Sequence, residues 1–206
     1  MATKLTPNPT SETIAALILA GGKSRRMGQD KALVEFEGVP LLQRVYNVAH
    51  QCCSQVYLIA PWIDRYRTLL PPSCHLLQET TFPEELEPHG PLIGFAQGLG
   101  QIQADWLLLL ACDLPQLQGE VLQGWMQRLP SLDRSVMALL PKHPKGWEPL
   151  CGFYRSQCLP ALNAYIAQGG RSFQGWLSSQ IVQEAPVSDP QMLLNCNTPQ
   201  QLILES

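Results

Sequence analysis

The feature that most constrains the fold is one uninterrupted apolar run, from Trp106 to Cys112, which reads W-L-L-L-L-A-C. It is far shorter than the ~20 apolar residues that a membrane-spanning helix needs. A continuous apolar run of this length is typical of a strand that is buried on both faces of a parallel sheet. The run therefore predicts a sheet whose two faces are both covered.

Apolar runs of strand length alternate with segments of helical period along most of the chain. The predicted strands are Ile14–Leu19, Val56–Ala60, a short one containing Leu76 and Leu77, Trp106–Ala111, Val136–Leu140 and Leu150–Tyr154. The predicted helices are Pro40–Cys53, Pro91–Ile102, 119–129, near 156–168, near 172–179 and from about residue 199. This alternation predicts an α/β fold, with three α/β/α layers and a mostly parallel sheet.

The domain organisation follows from length and composition. The Thr-, Pro- and Asn-containing residues 1–12 are expected to form a flexible lead, and residues 13–206 a single domain large enough for its own core. Ligands of such sheets bind beyond the carboxyl ends of the strands. The loops after Leu19 and after Ala111 lie at that edge, and the segment 141–149 is a candidate loop over a site.

Charge and cysteine usage exclude several classes of function. Lys and Arg total 14 and Asp and Glu total 17, giving a net charge of -3, so no basic excess for nucleic acid is present. Only Lys4 precedes the first apolar run as a positive charge, which disfavours a secretion signal. Seven cysteines without a C-x-x-C pair favour reduced thiols. We expect a cytoplasmic protein that contacts neither nucleic acid nor membrane.

A glycine-rich segment at 19–31, L-A-G-G-K-S-R-R-M-G-Q-D-K, follows the first predicted strand. Gly21 and Gly22 allow the backbone to approach an anion closely. Three cations follow them: Arg25, Arg26 and Lys31. The spacing matches neither a P-loop nor the G-x-G-x-x-G fingerprint. A glycine turn with solvated basic residues is the alternative, but glycines, cations and a preceding strand together favour phosphate binding.

Asp113 follows the buried strand within Cys112-Asp113-Leu114-Pro115. A carboxylate plus substrate phosphates is the usual way in which Mg²⁺ is held at nucleotide sites. Taken alone, an Asp that forms a turn before a proline is the more common explanation. Beside the glycine-rich segment, the metal interpretation is favoured.

Four motifs together resemble the molybdenum cofactor guanylyltransferases (the MobA family). They are L-A-G-G-x-S-x-R-M-G-x-D-K at 19–31, G-P-L-I-G at 90–94, C-D-L-P at 112–115 and N-C-N-T-P at 195–199. They occur in the family's order and span nearly the whole chain. The resemblance implies a Rossmann-like nucleotidyltransferase that joins GMP from GTP to the molybdopterin phosphate and releases pyrophosphate.

The same resemblance assigns residues. It implies that GTP is held by Leu19, Ala20, Gly21, Gly22, Lys31, Glu79 and Asp113. Asp113 would hold Mg²⁺, and Arg26 and Lys31 would stabilise the charge that develops during transfer. Glu79 stands where family members commonly carry Asp. The implied partners are GTP, molybdopterin, molybdopterin-synthesis proteins and the molybdoenzymes that accept the product.

Asn195 and Asn197 have two interpretations of equal weight. They hydrogen-bond the pterin, or they form a turn and cap the last helix.

Three other functions stay open. A sister group transfers CMP to the same cofactor; Gly21 leaves more room beside the base and favours guanine. A sugar-1-phosphate nucleotidyltransferase would share the opening motif but not N-x-N-T-P. The third is a GTP-binding carrier of molybdopterin without catalysis.

Overall fold

The computed structural model describes residues 12–21, 30–80 and 90–195. Its strands are β1 (Ile14–Leu19), β2 (Glu35–Phe36), β3 (Val39–Pro40), β4 (Val56–Ala60), β5 (His75–Gln78), β6 (Trp106–Ala111), β7 (Ala138–Leu140), β8 (Lys142–His143), β9 (Gly146–Trp147), β10 (Cys151–Arg155) and β11 (Val182–Glu184). Seven of them form one sheet in the order β11-β7-β10-β6-β1-β4-β5. The other four pair as two small antiparallel ribbons, β2 with β3 and β8 with β9.

The large sheet is parallel except for β10, which runs antiparallel to its neighbours β6 and β7. Leu19 is in register with Ile59 on one side and with Ala111 on the other, and Ala60 is in register with Gln78. The carboxyl ends of β1, β4, β5 and β6 are therefore level. We call the line of residues that follows Leu19, Ala60, Gln78 and Ala111 the carboxyl edge.

The helices are α1 (Leu41–Cys52), α2 (Pro91–Leu99), α3 (Gly119–Met126), α4 (Leu159–Ala167) and α5 (Phe173–Leu177). They cover both faces of the sheet, and the alternation of β1 shows this directly. Ile18 packs in a cluster with residues of α1 and α3, whereas Leu17 packs with residues of α2, α4 and α5. Every residue of β6 is buried, as its continuous apolar run predicts. The predicted three-layer α/β/α architecture is confirmed.

Local sequence explains where the helices begin and end. α1 places Leu42, Val45 and Ala49 on one buried face at helical spacing. α2 starts with Pro91 at a first-turn position, where its missing N–H costs nothing. The helix is three residues shorter than predicted and is capped by Gly100, because glycine weakens a helix and favours its end.

Several elements differ from the sequence-based prediction. The helix predicted near 156–168 starts as a 3-10 turn at Ser156–Cys158, and the segment 119–129 is helical only to Met126. Strand β11 is absent from the prediction. The segment 141–149, predicted as a loop, contains the β8–β9 hairpin. The helix predicted from about residue 199 lies outside the described residues.

The predicted flexible lead is described only at its last residue. Glu12 accepts hydrogen bonds from Trp106 Nε1 (2.9 Å) and from Arg155 Nη1 (2.8 Å), and the other residues of the lead lie outside the described ranges. Within those ranges, no helix combines the length and the apolar character needed to cross a membrane.

Candidate active site

The carboxyl edge brings together residues from four strands. The Ala20 N–H donates to the Ile59 carbonyl (3.1 Å), the Glu79 N–H to the Ala60 carbonyl (2.9 Å), and the Cys112 N–H to the Leu19 carbonyl (3.2 Å). These bonds continue the sheet ladder by one residue beyond the strands, so the positions that follow are fixed by backbone geometry. Ala20, Gly21, Glu79 and Asp113, which the sequence predicts as site residues, are all carried by this edge.

Gly21 is required by its backbone and by a close neighbour. Its φ is +93°, a left-handed value that side chains disfavour. A Cβ on Gly21 would also clash with the Pro61 ring. The residue therefore lets the loop after β1 pack against the loop after β4, a constraint separate from the predicted room beside the base.

Lys31 and Asp113 form an ion pair at this edge. Lys31 belongs to a 3-10 turn, Lys31–Leu33, and its Nζ lies 2.9 Å from Asp113 Oδ2. Both side chains are mostly shielded, with 20% and 15% of their surfaces exposed. The predicted phosphate-binding cation and the predicted metal ligand are thus in direct contact.

Glu79 is a buried acid at the carboxyl edge. Only 7% of it is exposed, and among the described residues its Oε1 has no hydrogen-bond partner. Burial raises the pKa of the Glu79 carboxyl to about 7. A Cβ added at Gly94, in the first turn of α2, would lie 3.7 Å from the carboxyl carbon, so α2 passes close to this acid. Among the described residues the site therefore presents a desolvated carboxyl with one oxygen that receives no hydrogen bond.

The backbone beside Glu79 is held by a residue that the sequence does not mark. The Thr80 N–H donates to Gln97 Oε1 (2.8 Å), and Gln97 Nε2 donates to the Thr80 carbonyl (3.0 Å). Gln97 lies on α2, so this pair of bonds fixes the end of β5 against that helix. No local signal identifies Gln97, because its partner is 17 residues away.

Tyr66 is a second residue that sequence reasoning misses. Its hydroxyl donates to Asp30 Oδ2 at 2.7 Å, directly beside Lys31, and the side chain is fully buried. The only sequence signal is the motif position of Asp30, which gives no indication of its partner.

Cys112 is a structural thiol. It is buried, and burial, followed by the charge of Asp113, raises its pKa far above the usual range. A thiol that stays protonated is a poor nucleophile.

The donor set at Asp113 fits a divalent ion that is completed by a ligand. No group of three or more metal-ligating side chains occurs in the described part of the chain. Asp113 is a hard carboxylate that keeps 15% of its side chain exposed, and it lies against the ammonium of Lys31. Mg²⁺ is commonly held by one or two carboxylates plus substrate phosphates, and this arrangement suits that mode.

The remaining predicted residues divide into two groups. Leu19 ends β1 and is half-buried at the carboxyl edge. Asn195 is exposed and follows the 3-10 turn Pro190–Leu193. Gly22, Arg26 and Asn197 lie outside the described residues, as does the rest of the closing motif after Asn195.

Curated relatives cover nearly all of the chain. A protein of Nostoc sp. (strain PCC 7120), described as "Probable molybdenum cofactor guanylyltransferase", is 53% identical over 189 residues, which are 92% of this chain and 88% of the relative. A protein of Synechococcus elongatus with the same description is 49% identical over 185 residues, 90% of this chain and 94% of the relative.

Solved structures share the fold. The crystal structure of molybdopterin-guanine dinucleotide biosynthesis protein A from Archaeoglobus fulgidus superposes with a TM-score of 0.74 at 22% identity, covering 92% of this chain and 95% of that one. The family model of the MobA-like NTP transferase domain matches residues 16–183. With the site geometry, this match shows that the chain belongs to the family of MobA-like NTP transferase domains.

Proposed function

We propose that the protein transfers GMP from GTP to the terminal phosphate of molybdopterin, forming molybdopterin guanine dinucleotide and releasing pyrophosphate. The observation that carries the proposal is the Lys31–Asp113 pair, 2.9 Å apart, on the same sheet edge as Gly21 and the buried Glu79. Relatives that are 49% to 53% identical and bear the guanylyltransferase description support it.

The nucleotide is assigned to the part of the edge between β1 and β5. Glu79 has a buried oxygen that lacks a donor among the described residues, and guanosine carries N–H and O–H donors that satisfy such an oxygen. Leu19, Ala20, Gly21 and Gly22 would line the nucleotide at the end of β1. The assignment of Glu79 to guanosine explains how an acid can be tolerated at a buried position.

The phosphates are assigned to Lys31, Arg26 and Asp113. In the structure the Lys31 ammonium compensates the Asp113 carboxylate. Asp113 would hold Mg²⁺, which when bound neutralises charge on phosphate oxygens. Lys31 and Arg26 would contact the triphosphate and the charge that develops at the α-phosphorus.

The reaction needs no covalent enzyme intermediate. An oxygen of the molybdopterin phosphate attacks the α-phosphorus of GTP, and the bond to the β-phosphate breaks in line with it. That acceptor phosphate is ionised at neutral pH, so the site requires positioning and charge neutralisation rather than a general base. Asn195 and Asn197 are assigned to the pterin side.

The setting of the activity follows from the same proposal. We place it in the cytoplasm, within a single domain at 13–206 preceded by a lead. Six of the cysteines are described, and all six are free thiols, which supports a reducing compartment. Molybdopterin-synthesis proteins and molybdoenzymes are proposed as the suppliers and acceptors.

Asp113→Asn tests the assignment with little change of shape. Pyrophosphate release from GTP, measured with molybdopterin and Mg²⁺, should fall by about 100-fold or more, since the variant loses a transition-state charge contact. The control is Asp133→Asn, an exposed aspartate near β7, which should behave as wild type. Wild-type rates in Asp113→Asn at limiting Mg²⁺ would contradict the metal assignment. GTP binding without pyrophosphate release in the wild type would favour the carrier alternative.

A further inference from the structure

The segment 61–66, which follows β4, contacts the candidate site at two points. At its start, Pro61 packs against Gly21 so closely that no Cβ fits there. At its end, Tyr66 donates a hydrogen bond to Asp30. Gly21 and Asp30 are the described residues on either side of 22–29, so one short segment braces both.

The contact at Tyr66 is buried and specific. Tyr66 follows the 3-10 turn Ile63–Arg65, and its N–H donates to the Ile63 carbonyl. Its side chain is fully buried in the cluster on the α1 side of the sheet. The hydroxyl lies 2.7 Å from Asp30 Oδ2, and desolvation by burial, then this hydrogen bond, raise the pKa of Tyr66 far above its usual range. The hydroxyl is thus a permanent donor.

Asp30 passes this contact on to Lys31. While Oδ2 accepts from Tyr66, Oδ1 accepts from the Ala32 N–H at 3.1 Å and caps the 3-10 turn Lys31–Leu33. The orientation of the Asp30 carboxylate therefore fixes the capped 3-10 turn that carries Lys31. Lys31 in turn reaches Asp113 at the end of β6.

The ion pair of Asp30 with Arg65 is weaker than the hydrogen bond from Tyr66. Arg65 Nη1 lies 3.9 Å from Oδ2, and its side chain is 55% exposed, stacked over the Trp62 ring. An exposed, long ion pair contributes little. The buried hydroxyl of Tyr66, together with the Ala32 N–H, fixes the carboxylate.

We propose that Tyr66 is a positioning residue: through Asp30 it holds the capped turn that aims Lys31 at the phosphate and metal end of the site. The hydrogen bonds join the loop after β4 to the end of β6 across the intervening strand β1. This inference rests on the proposed function, because it assigns Tyr66 a role only through Lys31.

Tyr66→Phe removes the hydroxyl and keeps the ring. Its matched control is Tyr46→Phe on α1, where a buried tyrosine shares a hydrogen bond of 3.1 Å with Ser73 Oγ, away from the carboxyl edge. We expect Tyr66→Phe to lower kcat/KM for GTP by about tenfold or more, the cost of losing a hydrogen bond to a charged group. For Tyr46→Phe, kcat/KM for GTP should stay within about twofold of the wild-type value. Its melting temperature should change by about as much as that of Tyr66→Phe, because each variant loses one hydrogen bond of a buried tyrosine.

A double-mutant cycle separates positioning from a general loss of structure. In the Lys31→Ala background, GTP affinity measured by calorimetry with Mg²⁺ should change by less than about twofold when Tyr66→Phe is added, because the two residues act as one unit. The inference is wrong if the effects of Lys31→Ala and Tyr66→Phe on GTP affinity instead multiply. It is also wrong if Tyr46→Phe impairs transfer as much as Tyr66→Phe does.

Asp30 provides a second test that does not depend on how well Tyr66→Phe folds. Asn can accept from the Ala32 N–H and donate to the Tyr66 oxygen, whereas Ala can do neither. Asp30→Asn should therefore retain most of the activity that Asp30→Ala loses. Equal losses in both would assign the effect to charge and overturn positioning. A wild type without GTP-dependent transfer would refute the proposed function itself, whereas an active wild type with multiplying effects would refute only the role of Tyr66.

Discussion

At the scale of single residues, the candidate site holds an ion pair and a buried acid at one edge of the sheet. Lys31 and Asp113 neutralise one another, and Glu79 carries a buried oxygen that no described residue satisfies. Such groups are costly to keep in a folded protein and are concentrated at functional sites. Replacing such a group should therefore raise the free energy of unfolding.

Glu79→Gln should stabilise the protein at pH 8 and much less at pH 5. Burial raises the carboxyl pKa from 4.5 to about 7. Between those values the native state holds a proton that the unfolded state has released, so stability falls as pH rises and the full penalty is present above pH 7. We expect urea unfolding to show a gain of about 1–3 kcal/mol at pH 8, together with weaker GTP binding.

The control for this prediction is Glu35→Gln, which removes the same charge from an exposed position in β2. It should give no pH-dependent gain. An equal gain for Glu79→Gln at both pH values would show that the Glu79 carboxyl is not desolvated.

Single residues also mark the limit of sequence reasoning. The glycine-rich segment and Asp113 are visible because their chemistry is local to a strand end. Tyr66 and Gln97 are not, because each acts on a partner 36 or 17 positions away. Only the folded backbone brings those pairs together.

At the scale of elements, continuous apolar runs were sufficient to predict the bounds of strands that are buried on both faces of the sheet. The bounds of β1, β4 and β6 agree with prediction. β11 reads V-Q-E and its last two residues are exposed, so its strand conformation depends on pairing with β7. The two-residue strands β8 and β9 are likewise too short for periodicity to reveal.

The β8–β9 hairpin is tied to α5 by hydrogen bonds with the side chain of Gln174. Gln174 of α5 accepts from the Trp147 N–H (3.2 Å) and donates to the Trp147 carbonyl (2.6 Å). Gln174→Ala should release the hairpin while lowering global stability by only about 1 kcal/mol. Faster trypsin cleavage after Lys142 or Lys145 and faster amide exchange at Trp147 would be the signature.

Gln123→Ala is the matched control, since Gln123 donates to the Gln51 carbonyl (3.1 Å) between α3 and α1. It should leave cleavage of the hairpin unchanged. Unaltered exchange at Trp147 in Gln174→Ala would show that pairing of β8 with β9 suffices without the glutamine.

At the scale of the whole molecule, parallel strands of matched register explain why distant sequence motifs form one site. The ends of β1, β4, β5 and β6 are level, so residues from Ala20 to Asp113 share an edge. The three-layer fold follows from the sequence, and so does the set of residues that lie at this edge. The burial of Glu79 and the bracing by 61–66 follow only from packing.

The most direct test of the guanylyltransferase assignment is competition between two nucleotides. The wild-type protein would receive GTP and CTP at equal concentration with Mg²⁺ and molybdopterin, and the products would be identified by mass spectrometry. We expect the guanine dinucleotide in large excess, with one pyrophosphate released per product. A cytosine dinucleotide as the main product, or no dinucleotide from a protein that binds GTP, would contradict the account.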